Sequence, residues 1–203
     1  NYLKASHNLA RVQLAIDDFK NGWAGHELRK GGTKKNYKLL GIGNQQTWDG
    51  KKFEDRLIIH GEQGIGDEIL YSSMFCDLLN YQKNLLITTD DRLIPIMQRS
   101  FPKIKFISRY SNFTVNEYSK HLFAGSLGKI FRNNIDDFKN NKTPWLKSCP
   151  KKTNQLQKKL SHLTKVKIGI SWKSFGIKGK ERSMSLRQIT SIFPKEKFEF
   201  INL

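Results

Sequence analysis

The stretch from Arg56 to Leu70, RLIIHGEQGIGDEIL, constrains this chain most, because an apolar run ends there in a histidine and gives way at once to a glycine-rich turn carrying three acids. Leu57-Ile58-Ile59 has the length and branching of a strand buried on both faces. Ile69, Leu70, Met74, Phe75, Leu78 and Leu79 then recur at helical spacing. The unit is therefore strand, glycine turn, helix. The alternation continues downstream, with strands expected at Leu57–His60, Leu85–Thr89 and Ile104–Ile107 and helices near 67–80 and 91–100. A short strand over Ser119–Phe123 and a short helix over Leu127–Phe131 complete the series. Such a pattern indicates an α/β fold, a parallel sheet with helices on its faces. Ligands of these folds bind beyond the carboxyl ends of the strands, where His60 and the 61–67 turn must lie.

Gly61, Gly64 and Gly66 allow positive φ and close backbone approach, a combination that can cradle phosphate at a helix N-terminus. The acids oppose that use. Glu62, Asp67 and Glu68 would meet a pyrophosphate with like charge, whereas the positive end of a helix dipole stabilises carboxylates. The spacing is G-x-x-G-x-G and not the G-x-G-x-x-G of dinucleotide folds. Asp90 and Asp91 after the next strand do imitate the ribose-binding acid, so a nicotinamide-dependent enzyme stands as a lesser alternative. A turn of this kind suits the presentation of a base. The structural alternative for Asp67 is a helix cap. His60 either orients an acceptor, acts as a second base, or is structural. Glu62 and Gln63 either bind acceptor hydroxyls or complete the hydrogen bonds of the turn.

Gly66-Asp67 ahead of an apolar helix resembles the N-terminal signature of the heptosyltransferase-like (family 9) glycosyltransferases. The longer pattern, Trp48-Asp49-Gly50 followed by Glu62-Gln63-Gly64-Ile65-Gly66-Asp67, is more specifically similar to bacterial glycosyltransferases carrying tetratricopeptide repeats. Asn8-Leu9-Ala10, Asp18-Phe19, Gly22-Trp23, Glu27 and Arg29 resemble the end of the last repeat in such proteins. The resemblance implies a two-domain fold of the GT-B type. A Rossmann-like acceptor-side domain would be preceded by a helical tetratricopeptide remnant and followed by the start of a second, donor-side Rossmann-like domain. It further implies inverting, metal-independent transfer of a sugar from a nucleotide-diphosphate sugar to an acceptor hydroxyl, with no cofactor. Asp67 matches the general base, with His60, Glu62, Gln63, Gly64 and Gly66 on the acceptor side. Ser171, Lys173, Ser174, Lys180 and Arg182 match the donor side, where a cation stabilises the departing diphosphate more than the ground state. Where heptosyltransferases tend to show Lys followed by an aromatic residue and Pro, this loop has Lys180-Glu181-Arg182-Ser183. The acceptor would be a protein or a glycolipid, and the helical repeats would offer a surface to a protein partner.

The chain divides by composition into four parts. Residues 1–34 read as a helical, tetratricopeptide-like segment with Leu9, Val12, Leu14, Ile16 and Phe19 on apolar faces and Gly31-Gly32 at its end. One repeat cannot bury its own face, so upstream helices or the catalytic domain must cover it. Residues 35–55 read as a polar connector in which Trp48 is a packing anchor. Residues 56–150 form the Rossmann-like domain. Residues 151–203 hold a connecting helix over 151–163, a strand over 166–172, a helix over 185–193 and a strand over 198–202. One βαβ unit does not close a core, so the chain is expected to be a fragment of a two-domain enzyme. The reading from another class is a noncatalytic repeat-containing adaptor or binding scaffold.

Charge excludes little. The formal net charge of +18 comes from 36 basic residues, mostly lysine and scattered over every segment, a pattern that compositional drift produces without a selected partner. No zinc-finger spacing or RNA-binding aromatic motif accompanies it, so no specific nucleic-acid partner is expected. No apolar run approaches the roughly 20 residues of a membrane helix. The expected location is cytoplasmic, or peripheral at the inner membrane. His7, His26, His121 and His162 show no metal-ligand spacing. Cys76 and Cys149 lie far apart and read as buried or idle thiols.

Overall fold

The computed structural model describes residues 2–32, 46–111, 118–139, 144–174, 179–193 and 196–203. The chain falls into two compact units, Asn1–Ser148 and Cys149–Leu203.

The first unit opens with a helical hairpin, α1 (Tyr2–Ala15) and α2 (Phe19–His26), followed by a 3-10 turn over Glu27–Gly32. Asp17, at φ 64°, makes the corner between the two helices. The hairpin belongs to the same unit as the sheet. Trp23 on α2 lies flat on Gly128, where a Cβ would come within 2.6 Å of its ring, and its Nε1 donates to the Arg132 carbonyl at 2.6 Å. Phe19 packs against Phe138 in a tilted pair with ring centroids 5.0 Å apart. The sheet domain thus covers one face of α2. On α1, Tyr2, Leu3, Leu9 and Val12 are exposed, as is Ile16 just beyond it.

The sheet contains β1 (Gln46–Thr47), β2 (Leu57–His60), β3 (Leu85–Thr89), β4 (Lys105–Ser108) and β5 (Lys120–Phe123). It is parallel throughout, in the order β1-β5-β2-β3-β4. From β2 the chain steps outward to β3 and β4, then returns to the other side of β2, where β5 pairs Ile58 with His121 and His60 with Phe123. The strand order therefore reverses between β2 and β5. This is the position at which open parallel sheets hold their ligands, outside the carboxyl ends.

Between the strands run α3 (Ile65–Ser72), α4 (Phe75–Tyr81), α5 (Ile94–Ser100) and α6 (Leu127–Phe131). They pack Tyr71, Phe75, Leu78, Met97 and Leu127 onto the face bearing Leu57, Ile59, Leu85, Ile87 and Leu122. Full burial of each large side chain contributes about 1.5–3 kcal/mol, which makes this the principal core. The opposite face carries a smaller cluster of Ile58, Leu86 and Tyr118 with Ile107.

Three expectations change. The connector is not wholly irregular: Gln46–Thr47 adds an edge strand to β5, and Trp48 is buried with its Nε1 donating to the Lys51 carbonyl at 2.7 Å. The helix expected over 67–80 is two helices, α3 and α4. Ser72 and Ser73 donate their hydroxyls to the carbonyls of Ile69 and Leu70, each at 2.7 Å, and such local bonds compete with the helical ladder. The next helix begins at Ile94, three residues late, with Pro95 in its first turn where a missing N–H costs nothing. For Cys76, which is free and exposed, the idle thiol is the reading that stands of the two offered.

In the second unit, α7 (Pro150–Leu160) is followed by β6 (Val166–Ile170), α8 (Leu186–Thr190) and β7 (Phe198–Asn202). β6 and β7 pair in parallel, Val166 with Phe198 through Ile170 with Asn202. α8 starts on a capping box between Ser185 and Gln188, which satisfies donors at both ends of the pair. Phe193 packs on Phe198 and Phe200 at 5.5 and 6.3 Å. Among the described residues of this unit, Ile170 is the buried hydrophobic side chain. No helix among the described residues of either unit is long and apolar enough to cross a membrane.

Candidate functional site

β2 ends in His60, the chain turns through residues 61–64, and α3 begins with Gly64 as its N-cap at φ −104° and ψ 142°. None of Gly61, Gly64 and Gly66 takes a positive φ; among the described residues the glycine that does is Gly50, at 87°. What these glycines supply is room. A Cβ on Gly61 would overlap Glu68 Oε1 and lie 2.7 Å from the Thr88 carbonyl, while one on Gly64 would come within 2.8 Å of Asp67 Oδ2. A Cβ on Gly66 would meet nothing within 4 Å, so that side of the turn is open.

The turn is held from both sides by arginines. On the β5 side, Glu62 Oε1 accepts from Arg29 Nη2 at 2.8 Å and from the Gly125 amide at 2.8 Å. Burial works against the Arg29 charge, but Glu62 and Glu27 outweigh it and raise its pKa. On the β4 side, Glu68 Oε1 accepts from Arg109 Nη2 at 2.6 Å. Glu68 Oε2 accepts from the Thr89 hydroxyl at 2.6 Å and the Asp90 amide at 3.0 Å. Burial pushes the Glu68 carboxyl above the usual carboxylate range, opposed by those two hydrogen bonds and by Arg109. Arg109 also donates to the Gln63 carbonyl at 3.4 Å, which ties the middle of the turn to the end of β4.

Asp67 differs from both neighbouring acids. It occupies the third position of α3, is exposed, and makes no hydrogen bond or ion pair among the described residues. It is not the helix cap, since that position falls to Gly64, which has no side chain to offer. Its carboxylate lies in the first turn of α3 and is open to solvent.

The acceptor-side candidates separate. Gly64, Gly66 and Gln63 lie at the surface or close to it beside Asp67. Glu62 is engaged in the bonds of the turn, the alternative left open for it. His60 is only 1 % exposed, with its ring facing His121, Phe123 and Tyr118 at 5.6, 5.2 and 6.4 Å. Burial, with His121 adding to it, lowers its pKa to about 3. A buried neutral imidazole does not reach an acceptor in solvent, so the structural role holds here. Asp90, the imitation of a ribose-binding acid, accepts from Arg92 at 2.9 and 3.0 Å, and Arg92 holds its pKa down to about 2.

The donor-side candidates lie in the second unit. Ser171, Lys173 and Ser174 follow β6 directly, and Lys180 and Arg182 lie on a 3-10 turn, Lys180–Arg182. The two segments are fastened together: the Met184 amide donates to the Trp172 carbonyl at 3.1 Å, and the Ser174 amide to Ser183 Oγ at 2.9 Å. Ser183 Oγ in turn donates to the Gly179 carbonyl at 2.6 Å. Three exposed cations, Lys173, Lys180 and Arg182, are thereby grouped with Ser171 and Ser174 at the carboxyl end of a strand. Among the described residues no group of three His, Cys, Asp or Glu side chains is placed to hold a metal ion.

Arg29 as a holder of Glu62, and Arg109 altogether, were not foreseen. Their partners lie 33 and 41 residues away, beyond any local pattern. One signal was present: the 36 basic residues comprise 27 lysines and nine arginines, and Arg29, Arg92, Arg109 and Arg132 pair with buried or half-buried carboxylates. A chain drifting toward lysine keeps arginine where a planar fork is needed.

Among known proteins the chain is similar to Protein FlbA of Caulobacter vibrioides, at 26% identity over 197 residues that cover 81% of this chain and 30% of that protein. The chain thus spans about a third of the length of the curated relative it matches. No protein-family model matches the chain. No solved structure matches it either.

Proposed function

We propose that this chain is part of a glycosyltransferase that moves a sugar from a nucleotide-diphosphate sugar to an acceptor hydroxyl, with Asp67 as general base. The observation that carries the reading is the contrast within one turn: Glu62, half-buried, and Glu68, buried, are paired with arginines, while Asp67 stands exposed beside the strand-order reversal of a parallel sheet. An acceptor O–H placed within hydrogen-bond reach of Asp67 would give its proton to the carboxylate as its oxygen attacks the anomeric carbon. The bond from that carbon to the diphosphate breaks on the opposite face, so the configuration inverts and the electron pair leaves on phosphate. Lys180 and Arg182, with Lys173 and the hydroxyls of Ser171 and Ser174, are suited to receive the charge that develops there.

The reading carries further proposals: a GT-B arrangement in which a second Rossmann-like domain holds the donor, tetratricopeptide-type helices ahead of the sheet, a protein or glycolipid acceptor, and a cytoplasmic location. The test is sugar transfer by the full-length protein supplied in turn with UDP-, GDP- and ADP-sugars, followed by release of the nucleoside diphosphate. Release that depends on an added acceptor supports the reading, and its absence with every donor counts against it.

A further inference from the structure

The helical hairpin reaches the glycine turn through Arg29. Its Nη1 donates to the His26 carbonyl at 3.2 Å and to Glu27 Oε1 at 3.1 Å, and its Nη2 to Glu62 Oε1 at 2.8 Å and Ser126 Oγ at 3.2 Å. Both side chains of the Arg29–Glu62 pair are only 13% exposed. One planar fork serves four acceptors on three segments, which a lysine ammonium does not reproduce. The end of β5 is shaped around it: a Cβ on Gly125 would lie 2.7 Å from Arg29 Nη2 and 2.7 Å from Glu62 Oε1. A second contact comes from the same part of the hairpin, where His26 Nε2 lies 3.1 Å from the Tyr71 hydroxyl on α3. Glu62 precedes Asp67 by five residues and Tyr71 follows it by one helical turn. The hairpin therefore grips the chain on both sides of Asp67.

We propose that Arg29 is a positioning residue for Asp67, supplied by the helical segment and acting through Glu62. Its consequence for rate rests on the glycosyl-transfer reading; its hold on the turn does not. The removal of one partner strands a charge in a buried site, so the turn loosens before the sheet does.

The test has two arms. In the 203-residue chain, Arg29→Met is expected to speed amide exchange over residues 61–68 by about tenfold or more while Leu57–His60 and Leu85–Thr89 keep their protection. Unchanged exchange at 61–68, or acceleration confined to residues 2–32, would overturn the proposal. Should that variant fail to fold, Arg29→Lys keeps the charge without the fork and is expected to accelerate the same amides about threefold; no acceleration there would also overturn it. In the full-length protein, with UDP-, GDP- and ADP-sugars as probes, Arg29→Met is expected to lower kcat roughly tenfold to a hundredfold with the donor KM within about twofold. Combination with Glu62→Gln should cost no more than either change alone. A raised KM with unchanged kcat would make Arg29 a binding residue and sink the positioning role. A wild-type protein that turns over none of these sugars would retire the transfer reading and leave the exchange arm to decide on Arg29.

Discussion

Asp67 and Glu68 are adjacent in the chain and opposite in environment: the Glu68 carboxylate is 3% exposed and bonded to Arg109, Thr89 and the Asp90 amide, while Asp67 is exposed with no such partner among the described residues. One turn of helix thus carries a buried, bonded acid beside an exposed one.

The two acids should separate in stability. Glu68→Gln breaks a buried ion pair and leaves Arg109 with only the more distant Asp90 carboxylate, at 3.8 Å, which is expected to cost roughly 3 kcal/mol. Asp67→Asn touches no such feature and should stay within about 0.5 kcal/mol of the wild type. Urea unfolding of the 203-residue chain measures both. Equal losses would contradict the division of labour.

The glycines should separate in the same way. Gly61→Ala forces a Cβ against the Thr88 carbonyl and Glu68, and overpacking of that kind costs about 1–3 kcal/mol. Gly66→Ala enters open space in the first turn of a helix, where alanine is favoured over glycine by up to about 1 kcal/mol. The thermal midpoint is therefore expected to fall for Gly61→Ala and to hold or rise for Gly66→Ala. A loss at Gly66 would mean that its side of the turn is closed.

Much of this arrangement was legible in advance, and the exceptions have physical reasons. The all-buried strand Leu57–His60, the strands at 85–89 and 120–123 and the helix at 127–131 follow from apolar runs and their spacing. The edge strand Gln46–Thr47 has two exposed residues and no apolar signature, so backbone pairing to β5 makes it a strand. The break between α3 and α4 comes from serine hydroxyls that bond locally, which an apolar periodicity passes over. At the turn, the acids were evident but their sorting was not. Arg29 and Arg109 decide which carboxylates are neutralised, and they arrive from distant segments. Of the two properties the glycines allow, positive φ is used at none of the three, while Gly61 and Gly64 provide space for a neighbouring carboxylate.

Acid should destabilise the first unit through the half-buried His26 and the buried His60. Burial, with Arg29 beside it, lowers His26 to about 4, and burial, with His121, lowers His60 to about 3. Both titrate near 6.5 when unfolded. Below that value the unfolded chain binds protons that the folded chain refuses, so this stability is complete above about pH 6.5 and is lost as pH falls toward 4 and 3. Glu68, raised by burial, opposes the trend in the carboxylate range. The groups facing His26 are the Tyr71 hydroxyl, His7, Arg29, Glu27 and Glu62. His26→Gln should flatten the stability curve between pH 6.5 and 5, as followed by urea midpoints. Parallel curves for the variant and the wild type would show that His26 does not titrate differently on folding.

The basic turn of the second unit should matter to the donor. In the full-length protein, Lys180→Ala or Arg182→Ala is expected to weaken nucleotide-sugar binding and slow turnover by roughly tenfold to a hundredfold, since a charge-assisted contact to phosphate is worth about 1.5–3 kcal/mol. Equilibrium binding and steady-state kinetics with UDP-, GDP- and ADP-sugars check this. Unchanged values in both variants would move the diphosphate site, with Lys173 next in line.

The central claim is that Asp67 takes the proton from the acceptor, and Asp67→Asn in the full-length protein tests it most directly. Asparagine keeps the shape at this exposed position, so unfolding and donor binding should be nearly those of the wild type. The measurement is kcat for sugar transfer at saturating donor and acceptor. A fall of roughly 10²- to 10⁴-fold is expected, because an amide cannot accept the proton. Transfer at the ordinary rate, with the fold intact, would contradict the account and leave Asp67 as a surface residue of α3.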